Sequence, residues 1–284
     1  MTLSELRRAL RDTLDTKLDS READATARII LEDGGGFTPV DIAANGDRTL
    51  EPFTCDRLMA MAHRVVRDEP VQYVVGHARF YGMDLRVTPA VLIPRPETEG
   101  LVDMIVDEAG GRSDLAVLDA CTGSGCIAIA LARALPFAAV TATDISDDAL
   151  AVARQNAADL GVKVAFEHAD ALDMLPPLLP RYDIIVSNPP YIADSERRSM
   201  DDRVLLHEPA TALFVPDADP LRFYRALAAY AAKALRPGGR LYFEINALYG
   251  SETAAEVRRA GFDDVLVSRD FYGRPRYVSA TKPE

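Results

Sequence analysis

The chain has 284 residues, long enough for one large domain or two smaller ones, each with a real core. Its 48% hydrophobic and 27% charged residues exclude a disordered, fibrous or membrane-spanning protein, and no run reaches ~18 apolar residues. The net charge of −12 disfavours broad binding to a phosphate backbone, and three scattered cysteines (Cys55, Cys121, Cys126) make neither a disulfide framework nor a closed zinc site. The first residues lack a signal-peptide pattern, so a cytoplasmic protein is expected.

Residues 1–70 read as a small helical domain. Leu3, Leu6, Leu10 and Leu14 recur at the spacing of one helical face. Ser20 suits an N-cap for the next helix, which Gly34-Gly35-Gly36 stops, and Thr54 or Asp56 would open another. Residues 71–96 read as a hairpin and Pro-rich linker. Its strands are Ala78–Tyr81 and Leu85–Thr88 about a turn at Tyr81-Gly82-Met83-Asp84, and Pro89, Pro94 and Pro96 block regular structure after it.

From 97 to 284 strand and helix patterns alternate. Strands are expected at 116–120, 140–144, 164–168, 183–187, 240–245, 265–269 and 276–280, with helices at 127–135, 147–160, 221–235 and 251–260. Alternation of this kind predicts a doubly wound parallel α/β sheet. Only Asp270-Phe271-Tyr272-Gly273 separates the last two strands, too short for a crossover helix, so the last strand is antiparallel. That pattern is the one found in S-adenosylmethionine-dependent methyltransferases.

Cys121-Thr122-Gly123-Ser124-Gly125 joins the first strand of this sheet to a helix. Glycines there permit a sharp turn and close approach of a ligand at the carboxyl edge of the sheet, where open α/β sheets bind. The same residues satisfy the looser dinucleotide fingerprint, so the loop alone does not choose a cofactor. Asp144 ends the next strand 19 residues after Gly125 and could accept both hydroxyls of a ribose. Ser146 is the better N-cap for the helix that follows. Asp170 could accept from an adenine amine or cap a turn, and Asp119 could receive an ammonium group.

The most informative stretch is Asp183-Ile184-Ile185-Val186-Ser187-Asn188-Pro189-Pro190-Tyr191, an apolar strand that delivers Asn-Pro-Pro-Tyr at its end. The prolines fix the backbone and remove two donors. The Asn188 side-chain oxygen and the Pro189 carbonyl can then accept both hydrogens of a planar amine, with the Tyr191 ring beside it. Such a grip suits methylation of an amide or aryl-amine nitrogen, whose lone pair is delocalised and which needs orientation more than a strong base.

At these residues the sequence resembles the protein-(glutamine-N5) methyltransferases that modify the Gly-Gly-Gln glutamine of peptide chain release factors. Further marks are Glu69-Pro70-Val71-Gln72-Tyr73, Phe80-Tyr81-Gly82, Val91 to Glu99 (Val-Leu-Ile-Pro-Arg-Pro-Glu-Thr-Glu), Glu208-Pro209 and Pro237-Gly238-Gly239 with Phe243-Glu244. The resemblance implies S-adenosylmethionine held by Thr122, Gly123, Ser124, Gly125 and Asp144, and the expected set adds Asp119, Cys121, Ile145, Asp170, Ala171 and Asn188. It implies a glutamine held by Asn188, Pro189, Pro190 and Tyr191, with Asn188, Pro189 and Tyr191 catalytic; Arg95 is expected at the substrate, and read by itself could neutralise the cofactor carboxylate or pin the linker. It also implies that the helical domain docks the release factor, and it leads us to expect a monomer with no nucleic-acid or membrane partner and no metal. Cys121 stands where the family often has Gly, and Ala171 where some relatives carry a larger side chain. A sister family acts on a ribosomal protein glutamine, and adenine-N6 methyltransferases share the Asn-Pro-Pro-Tyr corner. These two remain the alternative substrates, while a non-catalytic adapter and a nicotinamide oxidoreductase are the competing classes.

Overall fold

The computed structural model describes residues 1–112, 114–176 and 181–284, in two compact units. The first comprises Met1–His77 and Asp201–His207. It is built on α1 (Leu3–Leu14), α2 (Ser20–Ile29), α3 (Pro39–Ala44), α4 (Pro52–Val66) and α5 (Val71–Val75). The leucine face of α1 is wholly buried and meets Leu31 and Leu58 in one apolar cluster. Caps set the helix starts. Thr2 and Glu5 form a reciprocal capping box on α1. Asp19, not Ser20, caps α2, because its carboxylate accepts from the N–H groups of Arg21 and Glu22. Pro52 rather than Thr54 or Asp56 opens α4, since a first-turn proline forfeits no helical hydrogen bond. A single π-turn, Ile30–Gly34, extends α2 into the glycines.

The second unit comprises Ala78–Met200 and Glu208–Glu284. Its hairpin is β1 (His77–Phe80) and β2 (Met83–Arg86), so the strands sit one or two residues earlier than the sequence suggests. Tyr81 and Gly82 both have positive φ, 49° and 67°, and make the tight two-residue turn that matches strand twist. Pro96 begins a helix, α6 (Pro96–Ala109), instead of blocking one. Then follow β3 (Ala116–Ala120), α7 (Cys126–Ala134), β4 (Ala139–Asp144), α8 (Asp147–Asp159), β5 (Ala165–His168), β6 (Tyr182–Ser187) and β7 (Ile192–Ala193). After α9 (Asp202–His207), which belongs to the first unit, come α10 (Ala210–Leu213), β8 (Phe214–Val215), α11 (Arg222–Ala234), β9 (Leu235–Glu244), α12 (Gly250–Arg259), β10 (Asp263–Arg269) and β11 (Pro275–Thr281).

Seven strands form one sheet in the order β10-β11-β9-β6-β3-β4-β5. The pairs from β9 to β5 are parallel, and β11 runs antiparallel to both its neighbours. One apolar cluster joins the hairpin, α6 and α7 to the sheet, and a second joins α11 and α12. Buried runs such as Ile184, Ile185 and Val186 reflect a sheet covered on both faces.

Asn156 of α8 ties three parts together. Its oxygen accepts from the Arg86 N–H at 2.7 Å, and its amide donates to the carbonyls of Arg86 and Ser124 at 3.1 and 2.9 Å. Asn156→Ala strands the buried Ser124 carbonyl and two partly buried groups of Arg86. It is expected to lower unfolding free energy by about 1–3 kcal/mol, measured by urea titration against the wild type.

Candidate functional site

Three adjacent parallel strands, β6, β3 and β4, end at the same edge of the sheet, and the loops beyond them line a cavity of about 310 Å³. That volume is at the small end of the range for a small-molecule site. Its wall includes Cys121, Thr122, Gly123 and Ser124 beyond β3, Asp144 and Ile145 beyond β4, Asp170 and Ala171 beyond β5, and Asn188 and Pro190 beyond β6. Arg95 and Thr98 join it from the start of α6, and Phe214, Arg222 and Phe223 also line it. Of the residues named from the sequence, Asp119, Gly125, Pro189 and Tyr191 stand outside this wall.

The Gly-rich loop is held from within. Thr122 N–H donates to the Thr143 carbonyl, Gly123 N–H to the Asp144 carboxylate and Gly125 N–H to the Thr122 carbonyl, each at 2.9 Å. Its two glycines have different duties. A Cβ on Gly123 (φ 54°) would meet nothing within 4 Å, so this residue leaves the cavity edge open. A Cβ on Gly125 (φ 82°) would press on Ile129 and Ala153 at 3.0 and 3.1 Å, so this residue lets α7 pack against α8. Cys121 holds φ 60°, the left-handed region that favours glycine, and burial pushes its thiol up.

Asp144 is placed to receive two hydroxyls. One of its oxygens accepts from Gly123 N–H and the other from Ser146 N–H, both at 2.9 Å. Each oxygen keeps a lone pair for a further donor. Ser146, as read from the sequence, caps α8 by accepting from Ala149 N–H. Asp170 accepts from Leu172 N–H and so closes a turn while also facing the cavity. Ile145, half exposed, and the small Ala171 supply apolar wall.

Asp119 is fully buried beneath the loop. One oxygen accepts from the Thr122 hydroxyl at 2.6 Å and Ala128 N–H at 3.1 Å, while the other has no protein partner. Burial pushes its carboxyl up to about 7. Arg95 forms an ion pair with the buried Glu208 at 2.5 Å, and Glu208 also accepts from Ile93 N–H, so this pair pins the segment before α6.

The Asn-Pro-Pro-Tyr corner rests on residues that sequence reasoning left without a site role. Thr98 and Glu97 stand in the first turn of α6, where sequence alone suggests a cap. Thr98 instead is buried and donates from its hydroxyl to Glu244 at 2.6 Å. The Asn188 amide donates to Thr98 Oγ1 at 3.4 Å, and the Tyr191 hydroxyl donates to the other Glu244 oxygen at 3.2 Å. Burial and the Glu244 charge push the Tyr191 phenol up. Burial also raises Glu244, against the pull of Thr98, Arg276 and Tyr191. The only signal these partners gave was their presence in the marked segments, Pro-Glu-Thr-Glu and Phe-Glu.

The buried Asp119 carboxyl has a consequence for stability. In the folded chain it keeps its proton to about pH 7, whereas the ordinary value is 3.8. The favourable protonated state is therefore lost as pH rises through the folded value. The stability of the wild type relative to Asp119→Asn is expected to fall between about pH 4 and 7 and to stay level above that, as read by thermal unfolding across pH.

Comparison with known proteins places these features. A family model, the PrmC N-terminal domain, matches residues 5–76, and another, the Methyltransferase small domain, matches residues 98–215. The release factor glutamine methyltransferase of Bacteroides thetaiotaomicron is 43% identical over 273 residues, covering 96% of this chain and 98% of that one. The protein of the same name from Flavobacterium psychrophilum is 37% identical, with 98% of each chain covered. Among solved structures, a methyltransferase from Pyrococcus furiosus aligns with a TM-score of 0.53 at 17% identity, over 78% of this chain and 98% of that one, a likeness of fold. The Thermus thermophilus 16S rRNA N2 G1207 methyltransferase, solved with AdoMet and guanosine, does so at 0.51 and 21% identity, over 72% and 49%. Sequence likeness to the bacterial relatives runs through both the helical unit and the sheet, and the chain belongs to the release factor glutamine methyltransferase family.

Proposed function

We propose that this protein transfers a methyl group from S-adenosylmethionine to the side-chain amide nitrogen of the glutamine in the Gly-Gly-Gln motif of a peptide chain release factor. The observation that carries the reading is that Asp144 and Asn188 stand on one cavity wall, at the ends of strands β4 and β6 that flank β3. The residues present fit the methyl donor. Asp144 keeps two acceptor sites for a ribose diol, Ile145 and Ala171 offer apolar surface for a purine, and Gly123 leaves room beside them. The N–H groups of Thr122, Gly123 and Gly125 are already spent inside the protein, which argues against a pyrophosphate cradle and so against a nicotinamide cofactor.

When bound, S-adenosylmethionine supplies a methyl group on a positively charged sulfur. The protein's task is orientation. The Asn188 side-chain oxygen and the Pro189 carbonyl accept the two amide hydrogens of the glutamine, which draws its nitrogen lone pair out of conjugation. The prolines hold that corner rigid, and Asn246 fixes its far end by donating to the Tyr191 carbonyl at 3.1 Å. The amide nitrogen takes the methyl and becomes cationic and acidic, the sulfonium is left a neutral thioether, and the nitrogen then gives one proton to water, so no strong base is required. We assign the helical unit to docking of the factor. The net charge of −12 speaks against the adenine-N6 reading, which would need phosphate contacts. We place the enzyme in the cytoplasm as a monomer.

The test is transfer of labelled methyl to an unmodified release factor and to the same factor with its Gly-Gly-Gln glutamine replaced. Label is expected on the first and none on the second; equal labelling of both would sink the site assignment. Asn188→Ala is expected to lower kcat by about 10²–10³, with calorimetric S-adenosylmethionine affinity changed far less.

A further inference from the structure

We propose that Thr98 and Glu244 are positioning residues for the transfer: together they fix which end of the Asn188 side-chain amide faces the substrate. This rests on the functional reading above.

The argument is an accounting of protons along a buried chain. Glu244 is 1% exposed and Thr98 2% exposed, so neither takes a hydrogen bond from bulk water. One Glu244 oxygen lies 2.6 Å from the Thr98 hydroxyl, and the other lies 3.2 Å from the Tyr191 hydroxyl. Both Glu244 oxygens accept, one from each hydroxyl, so Thr98 commits its single proton to Glu244. The Thr98 oxygen then has only lone pairs left to offer. The group that satisfies them is the –NH₂ of Asn188, which donates at 3.4 Å. With the amide's donor end taken, its oxygen is presented to the cavity that Asn188 lines. An amide in a pocket can otherwise sit either way round, because its two ends are nearly the same size. Turned over, it would present –NH₂ to the substrate –NH₂, a donor against a donor.

The far end of the chain is itself anchored. The Tyr224 hydroxyl donates to the Glu244 carbonyl at 3.2 Å, and the Glu244 strand pairs with β11 at Tyr277. An acceptor held this firmly sets the direction of the hydrogen bonds that run from it through Thr98 to Asn188. The same carboxylate holds Tyr191, so both members of the corner that carry polar side chains answer to one group.

The experiment is a double-mutant cycle at single turnover, using the full-length enzyme, labelled S-adenosylmethionine and unmodified release factor. Thr98→Val keeps the side-chain shape and removes the hydroxyl; Thr98→Ser keeps the hydroxyl. Each is made alone and with Asn188→Ala, and each is checked for folding by thermal unfolding and for cofactor affinity by calorimetry. Thr98→Val is expected to slow transfer about tenfold with S-adenosylmethionine affinity unchanged. Thr98→Ser is expected to restore the rate to within about twofold, and Thr98→Val is expected to add no further loss once Asn188 is Ala. An equal loss in both backgrounds, or a serine variant as slow as the valine one, would overturn the proposal. Absence of transfer by the wild type overturns the functional reading instead, and the wild-type arm tells the two failures apart.

Discussion

Side-by-side parallel pairing of β6, β3 and β4 is the constraint on which the site depends. Parallel strands share a direction, so the residue that follows each one emerges at the same edge. The register sets Ala120 beside both Thr143 and Ser187, and the next residues are Cys121, Asp144 and Asn188. Three segments far apart in the chain thus reach one cavity without any of them being long or flexible. A second tie reinforces the pairing, because the Ser187 hydroxyl donates to the Ala120 carbonyl at 2.7 Å, just below the point where the strands open.

Around that edge the protein satisfies its polar groups in a graded way. The loop from Cys121 to Gly125 uses most of its own N–H groups internally, so its shape does not depend on a ligand. Asp144 spends half its acceptor capacity, one bond on Gly123 of that loop and one on Ser146, and keeps the other half. Asp119 beneath it is buried with one oxygen unpartnered, a costly arrangement in a water-free setting. Partial satisfaction of this kind suits a preorganised site: the loop is held by its own bonds while Asp144, on the cavity wall, keeps acceptors unfilled.

Much of this was legible in the sequence, for reasons that can be named. Asp144 is found by its spacing from Gly125, because a strand, a tight loop and a helix of ordinary length fill that interval. Asn188 is found because two prolines after an apolar strand are hard to explain as local structure alone. The helices that start at Pro52 and Pro96 begin a residue or more before the caps that the sequence suggests, because proline reads as a breaker until it is known to sit in a first turn. The differing duties of Gly123 and Gly125 were not legible either. Both have positive φ, and only the neighbours of an added Cβ tell them apart.

The sequence alone determined the alternation of strand and helix, the antiparallel last strand, the Gly-rich loop and the Asn-Pro-Pro-Tyr corner. Each of these is written within a short span, in hydrophobic period and in residues with restricted backbones. Tertiary structure alone decided what stands behind that corner. Thr98 and Glu244 are 146 residues apart, and Thr98 and Asn188 are 90 apart. No periodicity or spacing spans such separations. A hydrogen bond depends on a few ångströms in space, and only the packing of α6 against the sheet brings those side chains within that reach.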